Sequence, residues 1–395
     1  MNYFFYNAII PKEKNNCLAR LKKGGGFKFK MIRIRRGKVL RLLSSSQNIT
    51  IIKVKVDGLE EKAINYNLLT GAVKPDDEVV LNTTAVYKGL GTGGVHFVMA
   101  NLAQKQKETA EAGHIMKTRY TPCQVKVLAI EEQEHPENYL FRQTRSLAGT
   151  PVVIGSLHSM LAPVAAVIYY LTRGQARVVY LMTDGAALPL ALSNLAAELK
   201  EKKLIVATVT CGQAFGGDYE AVTKYSGLLA AFGVAKADII VAVMGPGNTG
   251  TASEFGFTGV EQGELVNAVN ILGGCPIATP RISFADNRIR HKGISHHTHT
   301  ALGRIALNPC VIPVPAMEPE KEKYVWQQIR ENNLEEKHRV IKIEAAMTLK
   351  IMEKYGLKVT TMGRSIDQDR EFFMAAGAAG IYAAQQYLKE SKAKK

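Results

Sequence analysis

The chain lacks any apolar run of the ~18–20 residues that a membrane-spanning helix needs, so no span is expected. Its most apolar stretch, residues 157–171, is broken by His158, Ser159 and Pro163 and reads as a buried helix. It also lacks paired cysteines. Cys17, Cys123, Cys211, Cys275 and Cys310 lie far apart, which argues against a disulfide framework and suits a reducing cytoplasm. No apolar segment of secretory type follows the first charges. Acidic residues are scarce at one end only. Residues 1–56 hold one glutamate against fourteen Lys and Arg, a net of +13 out of +16, so the other 339 residues carry +3. A near-neutral body argues against nucleic acid as the partner.

What is present points to a globular protein. With 395 residues, 46% of them apolar, the chain can bury a sizeable core in two or three domains. Residues 1–30 show no sustained periodicity, and a plausible start follows at Met31-Ile-Arg-Ile-Arg-Arg-Gly. Lys22-Lys23-Gly24-Gly25-Gly26, just upstream, is what a purine-rich ribosome-binding site would encode if translated. We therefore expect residues 1–30 to be a leader that is not translated in vivo. Removing it takes away +6 and leaves +10. N-terminal mass spectrometry tests this, and a native peptide spanning Gly26–Met31 refutes it.

Residues 31–102 carry the period-2 signal of strands. Ile32-Arg-Ile-Arg35 and Ile51-Ile-Lys-Val-Lys-Val56 alternate, Asp57-Gly58 is a hairpin signal, and strands continue through 79–81 and 83–87. A small β-barrel or sandwich is expected, then a polar connection over 103–122. From Cys123 to the C-terminus the pattern alternates apolar strands with helices. Strands are expected at 125–130, 151–155, 177–182, 204–210 and 238–244, with helices at 157–172, 187–202, 219–232 and 260–272. Strands apolar almost throughout, such as Val178-Val-Tyr-Leu-Met182, belong to a parallel sheet covered on both faces. The fold class is therefore α/β, a doubly wound, mostly parallel sheet preceded by a small β domain. Helices over about 317–355, a strand at 357–361 and an Ala-rich helix at 369–388 close the chain.

In such sheets ligands bind beyond the carboxyl ends of the strands. Those ends carry Gly155-Ser156-Leu-His158, Thr183-Asp184-Gly185, Cys211-Gly212-Gln213 and Gly245-Pro-Gly247-Asn248-Thr249-Gly250-Thr251. Asp184 reads equally as a helix cap, and Cys211 as a buried thiol. Gly245–Gly250 fits G-x-G-x-x-G, but the strand comes late and glycines interrupt the helix that should follow, unlike a dinucleotide site. Its amides suit an anion instead.

The densest chemistry lies in Arg281-Ile-Ser-Phe-Ala-Asp286-Asn-Arg288-Ile-Arg290-His291-Lys-Gly-Ile-Ser295-His296-His297-Thr-His299, with four of the nine histidines. Ser295 is a candidate N-cap, which would put His296 and His299 on one helical face. With Asp286 or His291 they could hold a divalent metal. Arg281, Arg288 and Arg290 could grip a phosphate or carboxylate, with a histidine as acid or base. A hydrogen-bonded structural cluster explains the same residues without a ligand. Arg364-Ser365, before the last helix, offers another cation and hydroxyl.

The chain resembles an uncharacterised bacterial family known as a domain of unknown function. The resemblance runs from about Met31 to the C-terminal helix on Leu90-Gly-Thr-Gly-Gly-Val-His-Phe97, Gly245-Pro-Gly247, Arg281–Asp286 and Ser295-His-His-Thr298. It implies a bacterial cytoplasmic protein and carries no activity. A local stretch, Val206-Ala-Thr-Val-Thr-Cys211-Gly with Ala237-Asp-Ile-Ile and a Gly-Pro loop, is similar to the glycine/betaine reductase B component over about a sixth of the chain. No paired cysteine accompanies it.

The expected function is an enzyme acting on a small anionic molecule, with metal-assisted hydrolysis as its more specific form. In that scheme Arg281, Arg288, Arg290, His158 and the Gly245, Gly247, Asn248, Thr249 loop bind substrate. His291, His297 and Asp184 serve as acid/base groups, and Asp286, His296 and His299 hold the metal. Thiol chemistry at Cys211 and a non-catalytic binding or regulatory module are the alternatives. Self-association is left open.

Overall fold

A computed structural model describes residues 31–91, 93–110 and 112–393, so the expected leader lies outside the described residues. The chain divides into two compact units, the first ending at Lys105 and the second beginning at Gln106.

The first unit is a closed barrel of five strands: β1 (Ile34–Ser45), β2 (Ile49–Val56), β3 (Leu59–Tyr66), β4 (Glu78–Asn82) and β5 (Val95–Asn101). Their order around the barrel is β1-β2-β3-β5-β4. All neighbours are antiparallel except β3 and β5. This is the Greek-key arrangement of an OB-type barrel, and because such folds host many functions the topology assigns none. Asp57 and Gly58 both have positive φ, 49° and 83°, in the two-residue loop between Val56 and Leu59. That is the turn the sequence predicts, with a twist matched to its strands. Alternation turns Ile52, Val54 and Val56 inward against Val39, Ala63, Val79, Leu81 and Val98. Part of the charged outer surface is paired, through Arg33 and Arg35 with Asp57 and Lys38 with Asp76. The strand expected over 83–87 is instead a helical turn, Thr84–Tyr87, started where Asn82 Oδ1 accepts from the Thr84 amide at 3.1 Å.

The second unit begins with a ribbon, β6 (Ile115–Lys117) and β7 (Val125–Val127), where the sequence predicts a connection and a sheet strand. Lys117 is fully buried there and pairs with Glu220 at 2.6 Å.

The main sheet holds β8 (Pro151–Ile154), β9 (Val178–Thr183), β10 (Ala207–Cys211), β11 (Tyr219–Ala221), β12 (Ile239–Met244), β13 (Cys275–Ala278), β16 (Val311–Pro315) and β17 (Arg339–Ile343). Their order is β11-β10-β9-β12-β8-β13-β16-β17, parallel throughout. A short antiparallel pair, β14 (Ile282–Ser283) with β15 (Gly293–Ile294), lies outside it.

Helices cover both faces. One core packs Val153, Tyr180 and Val241 under α1 (Leu161–Leu171), α2 (Asn194–Glu201), α6 (Met347–Lys354) and α7 (Arg370–Ala393). The other packs Val152, Leu181 and Ile240 under α3 (Lys224–Gly233), α4 (Glu261–Ile271) and α5 (Pro319–Glu331). The capping is legible in the chain: Ser193 accepts from the Ala196 amide, Thr223 and Ser226 form a capping box, and Pro319 opens α5.

β8 leads into α1 on one face, while its neighbour β12 leads into α4 on the other. The two strand ends therefore flank a crevice, the place where doubly wound sheets bind ligands. Three predicted details change. Residues 339–343 form strand β17 inside the expected helical region, 219–221 form β11 before the helix begins, and 357–361 form no strand. β17 lies at the sheet edge and carries Arg339 and Lys342 among its five residues, a weaker signal than the continuous apolar run of a central strand.

Candidate functional site

Beyond β13 the chain turns back on itself. Ile282 pairs with Ile294 and Ser283 with Gly293, so the loop carrying Asp286, Arg288, Arg290 and His291 closes beside residues 295–298. The Ser295 amide donates to the Arg281 carbonyl at 2.9 Å, and the Arg281 amide to Thr298 Oγ1 at 3.0 Å. Ser295 caps the next turn, accepting from the His297 amide at 3.3 Å, as its sequence position predicts. One α-helical turn, His296–Thr298, then widens into a π-helical segment, His299–Ile305. π-Helical insertions are frequent at functional sites. Gly263 of α4 makes room for this segment, since a Cβ there would collide with the Ala301 carbonyl.

This path brings three imidazoles together. His291, His296 and His297 each offer a ligand nitrogen, all within 4.8 Å of one another. Ring centroids lie 4.2 Å apart for His296 and His297, and 5.0 and 5.1 Å from His291. His291 is 2% exposed and its Nδ1 lies 2.7 Å from Ser295 Oγ. With Nδ1–H donating to that hydroxyl, the lone pair sits on Nε2. Nε2 of His296 and of His297 are both buried with no hydrogen-bond partner. Burial, reinforced by neighbouring arginines, holds His291 down to about 3, and burial with the His296 charge holds His297 down to about 4. Burial and Arg290 also lower His296. Neutral imidazole is the form that ligates metal.

Phe257, from the loop after β12, stacks on His297 at 3.9 Å with the rings 6° from parallel. Gly250 lies so near that a Cβ would sit 3.0 Å from His297 Cε1. The glycine loop and the histidine segment thus meet. Its other predicted residues serve the loop itself: Thr258 Oγ1 donates to Asn248 Oδ1 at 2.8 Å and accepts from the Thr249 amide at 3.0 Å. Gly245 and Gly247 pack towards Met182 and Ala186. His296 and His299 line an open cavity of about 860 Å³ with Arg304, Asn333 and Lys337.

Asp286 and His299 do not join the imidazole group. Asp286 is the hub of an arginine network. Arg288 grips it with two prongs, Nε to Oδ1 at 2.9 Å and Nη2 to Oδ2 at 2.7 Å, and Arg281 Nη2 reaches Oδ2 at 3.4 Å. These bonds hold its carboxyl below the usual range, the Arg288 bond foremost. Arg364 Nη2 approaches Asp286 at 3.9 Å, while its Nε donates to Asp369 at 2.8 Å. Ser283 also donates to Asp369, at 2.9 Å. Asp369 is a residue that sequence reasoning missed. Its place immediately before the last helix is an N-cap signal, but nothing in the chain links it to residue 283. Phe257 left no signal either.

The arginines divide by use. Arg288 is committed to Asp286, and Arg290 is exposed with no ion pair among the described residues. Arg281 is 3% exposed, yet its only side-chain hydrogen bond among the described residues is the 3.4 Å contact. Burial lowers it to about 10.

The remaining candidates sit apart, in satisfied surroundings. His158 Nε2 lies 2.7 Å from Ser193 Oγ and its Nδ1 3.2 Å from the Met244 carbonyl, and burial lowers it to about 4. Asp184 accepts from the Gln213 amide at 3.0 Å. Cys211 is 1% exposed and burial pushes its thiol up to about 12, the properties of a core residue. A second group with metal-like spacing, His114, Glu132 and Glu134, is already engaged. The Gly113 amide donates to Glu134 at 2.9 Å and the His114 amide to Glu132 at 2.6 Å.

Fold and site together define an α/β protein with a group of imidazoles, two of them with buried unpartnered nitrogens, beyond the end of a sheet strand. A family model described as "Protein of unknown function (DUF3866)" matches residues 62–380, and the chain belongs to that family. No curated protein matches the chain. Among the described residues no helix is long and apolar enough to cross a membrane.

Proposed function

We propose that this chain is a metal-dependent enzyme of the hydrolase kind, acting on a small anionic substrate. One observation carries the reading: three imidazole nitrogens converge within 4.8 Å, and two of the rings have a buried Nε2 without a partner. A buried nitrogen left unpaired costs free energy, so a cluster of them calls for a ligand. Three neutral histidines leave a coordination position open, as catalytic zinc sites do, whereas closed structural sites use four ligands and often thiolates. The Ser295 hydroxyl against His291 is the outer partner that fixes a ligating ring.

A bound divalent ion would activate water and polarise the substrate. Arg281 and Arg290 supply the positive groups for the anionic part, and the cavity beside His296 gives access. In this reading His297 takes the place expected of His299 beside His296, and His291 is preferred to Asp286 as the third ligand. Thiol chemistry gains least, because Cys211 is buried.

Elemental analysis of untagged protein, beside a His296→Ala/His297→Ala variant, tests the reading. About one equivalent of metal in the natural chain and none in the variant is the expected result, followed by turnover in a screen of phosphate and carboxylate esters. A natural chain that takes up no zinc, manganese or iron overturns it. Metal with tight anion binding and no turnover moves the protein to a binding or regulatory role.

A further inference from the structure

We infer that the three-histidine site binds its metal jointly with an oxyanion, one oxygen on the metal and another on Arg281, and holds neither tightly alone. This rests on the metal reading above.

The charges require it. All three ligands are neutral, so an incoming dication keeps its full charge. Its surroundings already hold Arg281, Arg288 and Arg364 against the carboxylates Asp286 and Asp369. Neither carboxylate belongs to the metal-spaced group: Asp286 takes both prongs of Arg288, and Asp369 binds Ser283 and Arg364 through Oδ2. A dication among buried cations without an anionic ligand is strongly disfavoured.

Arg281 has the opposite shortage. A guanidinium carries five N–H donors, yet this one, 3% exposed, makes one 3.4 Å side-chain hydrogen bond among the described residues. Nε and Nη1 have no acceptor there. Its backbone is bonded to Ser295 at 2.9 Å and to Thr298 at 3.0 Å, on either side of His296 and His297, which sets it beside the metal position. An oxyanion with two accessible oxygens meets both shortages at once, since guanidinium groups bind phosphate and carboxylate through paired donors. Phosphoryl and carboxylate groups share this chemistry. Coupling of this kind is reciprocal, so the anion raises metal affinity by the same factor that the metal raises anion affinity.

Cobalt(II) titration of the untagged chain tests the inference, with absorption bands reporting the metal's coordination. It is run in chloride buffer, then with inorganic phosphate, then with acetate. The expected result is cobalt affinity at least about tenfold higher with one of the oxyanions, with a changed visible spectrum, within the ordinary range of coupling. Whichever anion gives the larger rise identifies the head group. In Arg281→Met the gain should collapse to near onefold while cobalt alone still binds, and Arg281→Lys, which keeps the charge without the fork, should retain part of it. Equal cobalt affinity with and without oxyanion in the natural chain overturns the inference, as does full coupling in Arg281→Met. The natural-chain comparison stands even if the variants misfold. No cobalt binding under any condition overturns the metal reading instead.

Discussion

Two groups of polar side chains lie beyond strand ends of the same parallel sheet, and they differ in how far their hydrogen-bonding capacity is met. His158, beyond β8, ties Ser193 to the Met244 carbonyl. Asp184, beyond β9, accepts the Gln213 amide, and Cys211 is sealed in the core. The segment beyond β13 holds the same kinds of residue, but His296 and His297 keep unpartnered nitrogens and Arg281 is nearly unbonded. Residue type makes the two groups look alike. Hydrogen-bond accounting separates them, because a fold tolerates buried polar atoms without partners mainly where a ligand supplies them.

The sharpest way to break this comparison is to exchange the loss between the two groups. His291→Ala should abolish metal binding and cost the metal-free fold about 2 kcal/mol, since its bond to Ser295 and a fully buried ring go together. His158→Ala should keep the metal at a comparable cost of about 2 kcal/mol, since two hydrogen bonds go. Elemental analysis and urea unfolding of both variants read the two effects. Metal lost from the His158 variant would show that the groups are not separate.

Asp286→Asn sharpens the difference between a hub and a ligand. Removing the carboxylate leaves Arg281 buried beside Arg288 and Arg364 with one negative partner fewer. Breaking such a buried pair from one side costs about 3 kcal/mol. Chemical denaturation should show that loss, with metal still bound. Unchanged stability together with lost metal would return Asp286 to the ligand role that the sequence first suggests.

The two regions were not equally legible in the chain. Strands such as Val178–Thr183 and Ile239–Met244 announce themselves because burial on both faces removes polar residues, and Asp57-Gly58 announces its turn through backbone geometry. The histidine cluster was legible as composition and misread as geometry. Helical spacing pairs His296 with His299, yet the structure joins His296 to His297 and to His291, five residues back. The cluster forms across a loop, a cap and a single helical turn, where a rule for regular helices does not govern. Phe257 and Arg364 enter from remote segments, through tertiary packing that local patterns do not encode.

Glu261 offers a smaller, pH-dependent contrast at the start of α4. Thr183 Oγ1 donates to its carboxylate, but burial dominates and raises it from 4.5 to about 7. The folded chain therefore holds a proton that the unfolded chain releases between those values. Stability from this group is fully present below pH 4.5, falls as pH rises towards 7, and is level above. At ~1.36 kcal/mol per unit, the fall is at most about 3 kcal/mol. Comparing urea midpoints at pH 4.5, 6 and 7.5 in the natural chain and in Glu261→Gln isolates it, since the variant should lack this part of the slope. Identical slopes would mean that Glu261 is ionised in the fold.

The smallest effect should come from Cys211, where the strand-end rule and the burial disagree most plainly. A thiol that burial holds near 12 presents almost no thiolate at neutral pH, and its Sγ faces the Met182 carbonyl at 3.8 Å. Cys123, by contrast, is exposed. Alkylation followed by peptide mass mapping should label Cys123 quickly in the folded chain and Cys211 only after unfolding. Cys211→Ala should cost about 1 kcal/mol and leave metal content unchanged. Rapid labelling of Cys211 in the folded chain, slowed by an anionic ligand, would reverse the ranking of the two groups. The strand ends beyond β9 and β10 would then be the reactive site, and the histidine segment its support.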